Sequence, residues 1–139
     1  VPAPLRYLIA YDNDALNAVL SAFTGSLFSY LRRKAKKSGG EALDAQTYYP
    51  GAVTFIQRFG SALNLNVHMH SQVSDGVYVK LGDDQIHFIL VAPPSLKETR
   101  EITLKILYYT LHSFIVPSIL PKPPKDFFKG NNLCSKNPP

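Results

Sequence analysis

The chain has 139 residues, 45% of them hydrophobic, a size and composition suited to one ordinary core. With 15 Lys and Arg against 10 Asp and Glu, the net charge of +5 favours a polyanionic partner, nucleic acid ahead of an anionic membrane surface. No apolar stretch reaches the roughly 18 to 20 residues that cross a bilayer, and the single cysteine, Cys134, excludes an internal disulfide and a multi-thiol zinc site. The opening Val1-Pro2-Ala3-Pro4 has no basic segment leading into an apolar run, so it reads as a fragment edge and not as a signal peptide. The expected compartment is the cytoplasm.

After Leu5–Tyr11, for which no element is assigned, Asp12, Asn13 and Asp14 offer acceptors of the kind that cap a helix start. A helix from about residue 14 follows. Its stripe Leu16, Leu20, Phe23, Leu27 and Leu31, at spacings of four and three, is expected to lie against a sheet. The cations Arg32, Arg33, Lys34, Lys36 and Lys37 complement the macrodipole at its C-terminus, and Ser38-Gly39-Gly40 stops it. These cations suit either a solvated helix end or a patch that tracks phosphates. Residues 38–51 read as a loop, and 52–59 as a strand.

From Asn64 to Val73 polar and apolar residues alternate. Asn64, Asn66, His68, His70 and Gln72 fall on one face, and Leu65, Val67, Met69 and Val73 on the other. Asp75-Gly76 predicts a hairpin turn, with 77–80 returning antiparallel, and Gly82-Asp83-Asp84 a second turn into a strand over 85–91. Pro93-Pro94 ends that strand. Ser95 with Glu98 forms a capping box for a helix to about residue 114, its buried stripe expected at Leu104, Leu107, Leu111 and Phe114. The Pro- and Lys-rich tail, 116–139, is expected to be disordered. The fold class expected is α+β, an antiparallel sheet with flanking helices in two layers.

Two histidines at i and i+2 on a strand project from one face, so His68 and His70 can converge on one cation. Gln57 is the favoured third ligand, with Gln72 and Asp75 as alternatives. Two imidazoles and an amide oxygen suit Mn²⁺ or Mg²⁺ bridging a phosphate, and also admit Zn²⁺ or Co²⁺. The competing reading leaves both histidines solvated. His87 and His112 are read as ordinary strand and helix residues.

The segment from Gly51 through His70, GAVTFIQRFGSALNLNVHMH, followed by Asp75-Gly76-Val77-Tyr78, closely resembles the core of two-tyrosine rolling-circle transposases of the HUH endonuclease superfamily. Pro4–Asp12, His87 and Pro93-Pro94 share the likeness, which covers residues 1 to 115 as a partial transposase core. The resemblance implies an HUH-endonuclease-like two-layer sandwich in which His68-Met69-His70 is the HUH motif and holds a divalent metal, Mg²⁺ or Mn²⁺. It further implies that the partner is single-stranded DNA of mobile-element ends, with Arg58 and the cations Arg32, Arg33, Lys34, Lys36 and Lys37 against phosphates. A tyrosine nucleophile would form a 5′-phosphotyrosine link and conserve bond energy for strand transfer. Tyrosines of this family lie beyond the last helix, where this sequence has none after residue 115. Tyr108 and Tyr109 are then the weak candidates, read first as packing residues, and the enzymatic competence of the chain stays open. The alternatives are a noncatalytic single-stranded nucleic-acid module, stacking bases on Tyr78 or Phe88 of a four- or five-stranded sheet, and an inactive transposase remnant.

Overall fold

The computed structural model describes residues 3–39, 47–81 and 85–115. In chain order these form α1 (Ala3–Tyr11), α2 (Asn13–Gly39), β1 (Tyr48–Phe59), β2 (Leu65–Leu81), β3 (Gln85–Leu90) and α3 (Leu96–Ile115). The strands make one antiparallel sheet in the order β1-β2-β3. Helices cover one of its faces, so the architecture is α+β as expected. Among the described residues no helix is long and apolar enough to cross a membrane.

Residues 3–11, given no element from the sequence, form α1. Asp12 separates it from α2 and caps the second helix, its Oδ1 accepting from the amides of Asp14 (2.9 Å) and Ala15 (3.1 Å). The buried face of α2 is turned from the predicted stripe. Ala15, Val19, Ala22, Ser26, Tyr30 and Ala35 are buried with Leu16 and Leu31, whereas Leu20, Phe23 and Leu27 are half-buried at its margin. Small side chains on this face let the helix axis approach its neighbours, and the larger leucines fill the flanks.

Two apolar clusters tie this layer to the sheet. Ile9, Ala10, Leu16 and Val19 close over Val67, and Tyr30, Leu31 and Ala35 close over Tyr48, Val77 and Val79. Odd-numbered positions of β2 therefore face the helices. Pro50 is tolerated because β1 is an edge strand, which needs no ladder donor on its outer side. The β1–β2 hairpin closes where Gly60 N donates to Asn64 O (2.9 Å) and Leu63 N to Gly60 O (3.0 Å), with Leu63 at φ 56°.

The predicted hairpin turn at Asp75-Gly76 is corrected: both residues lie inside β2, and 65–81 is one strand where two were expected. Pro50 pairs with Val77 and Ala52 with Val73, so Gly51 alone faces Ser74, Asp75 and Gly76 across a bulge. Ser74 Oγ accepts from Gly51 N (3.1 Å) and donates to Gly76 O (2.7 Å), replacing ladder bonds that the bulge interrupts. On the other side Val91 N donates to Asp75 O (2.8 Å), and Gly76 pairs with Leu90. Partners on both edges hold Asp-Gly extended. A Cβ at Gly76 would meet the carbonyl oxygen of Ile89 and lie 2.6 Å from Cζ of Phe88, so this ring rests on the bare backbone of the glycine. The predicted turn at Gly82-Asp83-Asp84 lies outside the described residues, between the paired Leu81 and Gln85.

The capping box at α3 is present. Ser95 N donates to Glu98 Oε2 (2.9 Å), and Glu98 N to Ser95 Oγ (3.3 Å). The predicted buried stripe is not: Leu104 and Leu107 are exposed, Leu111 and Phe114 half-buried, and Thr110 is buried, with Ile102 and Ile106 half-buried on that side. Because α3 is apolar on two faces, its partner α2, reached also by the 2.7 Å Lys34–Glu98 ion pair, decides which one is covered. The tail from residue 116 lies outside the described residues.

Candidate functional site

Even-numbered positions of β2 place His68 and His70 on the sheet face away from the helices. Gln57 of β1 stands directly opposite His68, and Phe55 opposite His70. The two imidazole centroids are 4.9 Å apart with planes at 76°. Nδ1 of His68 is bonded to the carbonyl oxygen of Asn66, which can only accept, so Nδ1 carries the proton and Nε2 keeps its lone pair. An imidazole whose far nitrogen donates to a backbone carbonyl is the arrangement that orients a metal-ligating histidine. Nε2 of His70 lies 3.2 Å from Oε1 of Gln57 and donates to it, which leaves the His70 lone pair on Nδ1.

The structure thus brings together the three residues expected to ligate a metal. Among the described residues no group of three or more His, Cys, Asp or Glu gathers to hold one. A cation held there would meet two imidazoles and one amide oxygen. That composition fits a divalent cation of intermediate hardness. Asn66 departs from the expected polar face: a second bulge, where Gln57 pairs with His68 but Phe59 with Leu65, lets its Oδ1 accept from Arg6 of α1 (3.1 Å). A cleft of about 590 Å³ between helices and sheet reaches His68 and takes Ile106 from α3.

Tyr108 and Tyr109 lie elsewhere. Tyr108 lines a shallow apolar depression with Leu104, Leu107 and Leu111. Burial pushes the Tyr109 phenol up to about 12, and Tyr108 beside it adds to the shift. A phenol held protonated is the reverse of an activated nucleophile. His87 is exposed opposite Val79, and the His112 ring sits 5.9 Å from that of Tyr108.

The predicted phosphate-binding cations divide into two groups. Arg58 directs one guanidinium nitrogen to Ala10 O (2.7 Å) and the other to Asn13 Oδ1 (3.2 Å), joining β1 to the α1–α2 junction. Nε of Arg32 donates to Tyr48 O (3.0 Å), and burial lowers its pKa. Lys34 is held by Glu98, whose carboxyl the ammonium and the Ser95 amide bring down to about 2. Arg33 and Lys37, with the paired Lys34, line a cleft of about 630 Å³ together with Lys97, Glu98 and Glu101 of α3. Lys97 was missed because it lies 60 residues beyond the basic run in sequence and meets it only through helix packing.

Residues 51–102 match the family described as "Putative transposase". No curated protein and no solved structure matches the chain. The transposase-like segment begins in β1, ends within α3, and includes Gln57, Arg58, His68 and His70. It supports a function related to transposition. The basic end of α2 lies outside it.

Sequence reasoning also missed one feature of the transposase-like sheet. Tyr49, assigned to a loop, pairs with Tyr78, which pairs with Phe88, on the face that carries the histidines. Recognising this row required the register across the Gly51 bulge, which no local pattern reveals.

Proposed function

We propose that this chain is the metal-binding core of an HUH-type rolling-circle transposase, acting in the cytoplasm on single-stranded DNA of mobile-element ends. The observation that carries the reading is the His68–His70 pair on the open sheet face, with His68 oriented through Asn66 O, inside a transposase-like segment. His68 and His70 would hold Mn²⁺ or Mg²⁺, with Gln57 supplying an amide oxygen. When bound, the cation acts as a Lewis acid on the scissile phosphodiester. Asn66 O fixes the His68 tautomer, and Gln57 holds the His70 ring in place until a ligand replaces that hydrogen bond. In the reaction proposed, a tyrosine not assigned among the described residues bonds through its phenol oxygen to phosphorus and gives up its proton as the P–O3′ bond breaks, and the 3′ oxygen leaves with that proton. We assign Tyr108 and Tyr109 to packing, since Tyr108 lies among Leu104, Leu107 and Leu111, away from the histidine pair, and burial raises the Tyr109 phenol. That same observation favours the second reading, a noncatalytic module that binds single strands.

Calorimetric titration of Mn²⁺ into the purified chain tests the site, with His68→Ala and His70→Ala variants checked for folding by circular dichroism. Binding to the wild type that is lost in both variants is expected. A folded wild type that takes up no Mn²⁺ rules the metal reading out.

A further inference from the structure

The sheet face that carries the histidine pair is unusually apolar at its other end. Tyr49 (54% exposed), Tyr78 (51%) and Phe88 (43%) stand side by side across all three strands, each opposite its neighbour in register. The Tyr78 and Phe88 rings are 4.9 Å apart and tilted by 56°. Val53 and Phe55 continue the surface along β1 to His70, and Ile86 and Leu90 flank it on β3. Among the described residues no element covers this face. A contiguous apolar patch of this kind marks an interaction surface.

We propose that Tyr49, Tyr78 and Phe88 form a stacking platform for the bases of a single DNA strand whose backbone continues to the His68–His70 site. The platform rests on the proposed function for the identity of its ligand. Charge favours nucleic acid over a second protein: the strand positions that share this face carry Lys80, with His68, His70, Gln57 and Gln72, and no carboxylate among the described residues. Exposed aromatic rings on a sheet accept any base by its π-face, and a neutral-to-cationic surround tolerates the phosphates. Gly51, opposite the bulge, adds no side chain between the platform and Val53. From Tyr49 to Phe55 the strand runs about 20 Å, which spans about three to six nucleotides between a stacked and a fully extended rise. One strand can therefore lie on the rings and reach the histidines together.

The test is fluorescence anisotropy of a labelled oligo-dT of about 15 nucleotides, titrated with the whole 139-residue chain in EDTA. Tyr78→Leu and Tyr49→Leu keep apolar bulk but remove the ring. Each is expected to weaken binding about tenfold. Because Tyr49 is exposed on an edge strand, Tyr49→Leu reads out even where Tyr78→Leu unfolds. Equal affinity in the folded variants overturns the platform. So does concentration-dependent dimerisation of the wild type that Tyr49→Leu abolishes, which would assign the face to a second copy. Ring-dependent DNA binding without Mn²⁺ uptake sinks the metal site and keeps the platform; Mn²⁺ uptake with ring-independent DNA binding does the opposite.

Discussion

The ring of Phe88 lies directly over Gly76, near enough that a single methyl group on the glycine would collide with it. This contact joins the bulge of β2 to the aromatic row. It also explains why a dipeptide suited to a turn is retained in mid-strand: the missing side chain is the space that Phe88 occupies.

Gly76→Ala is accordingly expected to destabilise the protein by about 1–3 kcal/mol through overpacking against Phe88 and the Ile89 carbonyl. Chemical denaturation measures it. A loss below about 0.5 kcal/mol, the range of an ordinary surface substitution, would mean the ring does not rest on the glycine.

Gln57 is expected to act on the cation through its amide oxygen. Replacing it with a carboxylate places a harder, charged donor at the same position, so Gln57→Glu should tighten Mn²⁺ binding about tenfold and Gln57→Ala should weaken it by a similar factor. Calorimetry on folded variants gives both. Affinities unchanged in the two variants would remove Gln57 from the ligand set.

Leu63 holds a left-handed backbone (φ 56°) while 82% exposed, so it has strain and little burial to offset it. Leu63→Gly removes the clash of Cβ with the backbone but loosens the unfolded chain. A net gain of about 0.5–1 kcal/mol is expected, read as a higher thermal midpoint. A lower midpoint would indicate that the side chain packs in the folded protein.

The Tyr48 hydroxyl is buried without a hydrogen-bond partner among the described residues. Removing such a group relieves a desolvation cost while the ring keeps its packing against Val77 and Val79. Tyr48→Phe should therefore be neutral or stabilising by up to about 1 kcal/mol in denaturant titration. A clear destabilisation would reveal a partner for the hydroxyl.

Glu98 titrates near 2 in the folded chain against 4.5 for the free side chain, chiefly through Lys34. A depressed folded pKa contributes stability that is complete above the unfolded value. It is lost as pH falls from 4.5 towards 2. Glu98→Gln retains an acceptor for Ser95 but removes the charge, so its deficit in thermal stability should be largest at neutral pH and vanish near pH 2. A deficit independent of pH would assign the effect to the cap alone.

Local chemistry was legible where one or two residues suffice to decide the outcome. Asp12 caps α2 and Ser95 pairs with Glu98 because each motif satisfies its own helix end, whatever packs nearby. Alternation along 64–73 placed His68 and His70 together because period two is a property of the strand itself. The bulge opposite Gly51 was not legible, since Asp-Gly suits a turn and an extended segment alike until β3 pairs with one edge and β1 with the other. Nor were the individual fates of the cations, because Arg32 meets Tyr48 O and Lys34 meets Glu98 only after distant segments pack.

From its sequence alone, then, this protein has an α+β order of elements, two capped helices and a histidine pair on one strand face, all set by interactions spanning a few residues. Tertiary structure decided which faces of α2 and α3 are buried, that β2 is one bulged strand, and that Tyr49, Tyr78 and Phe88 stand in line. Those outcomes depend on which of several locally equivalent surfaces finds a partner, and burial is a property of the pair of surfaces and not of either one.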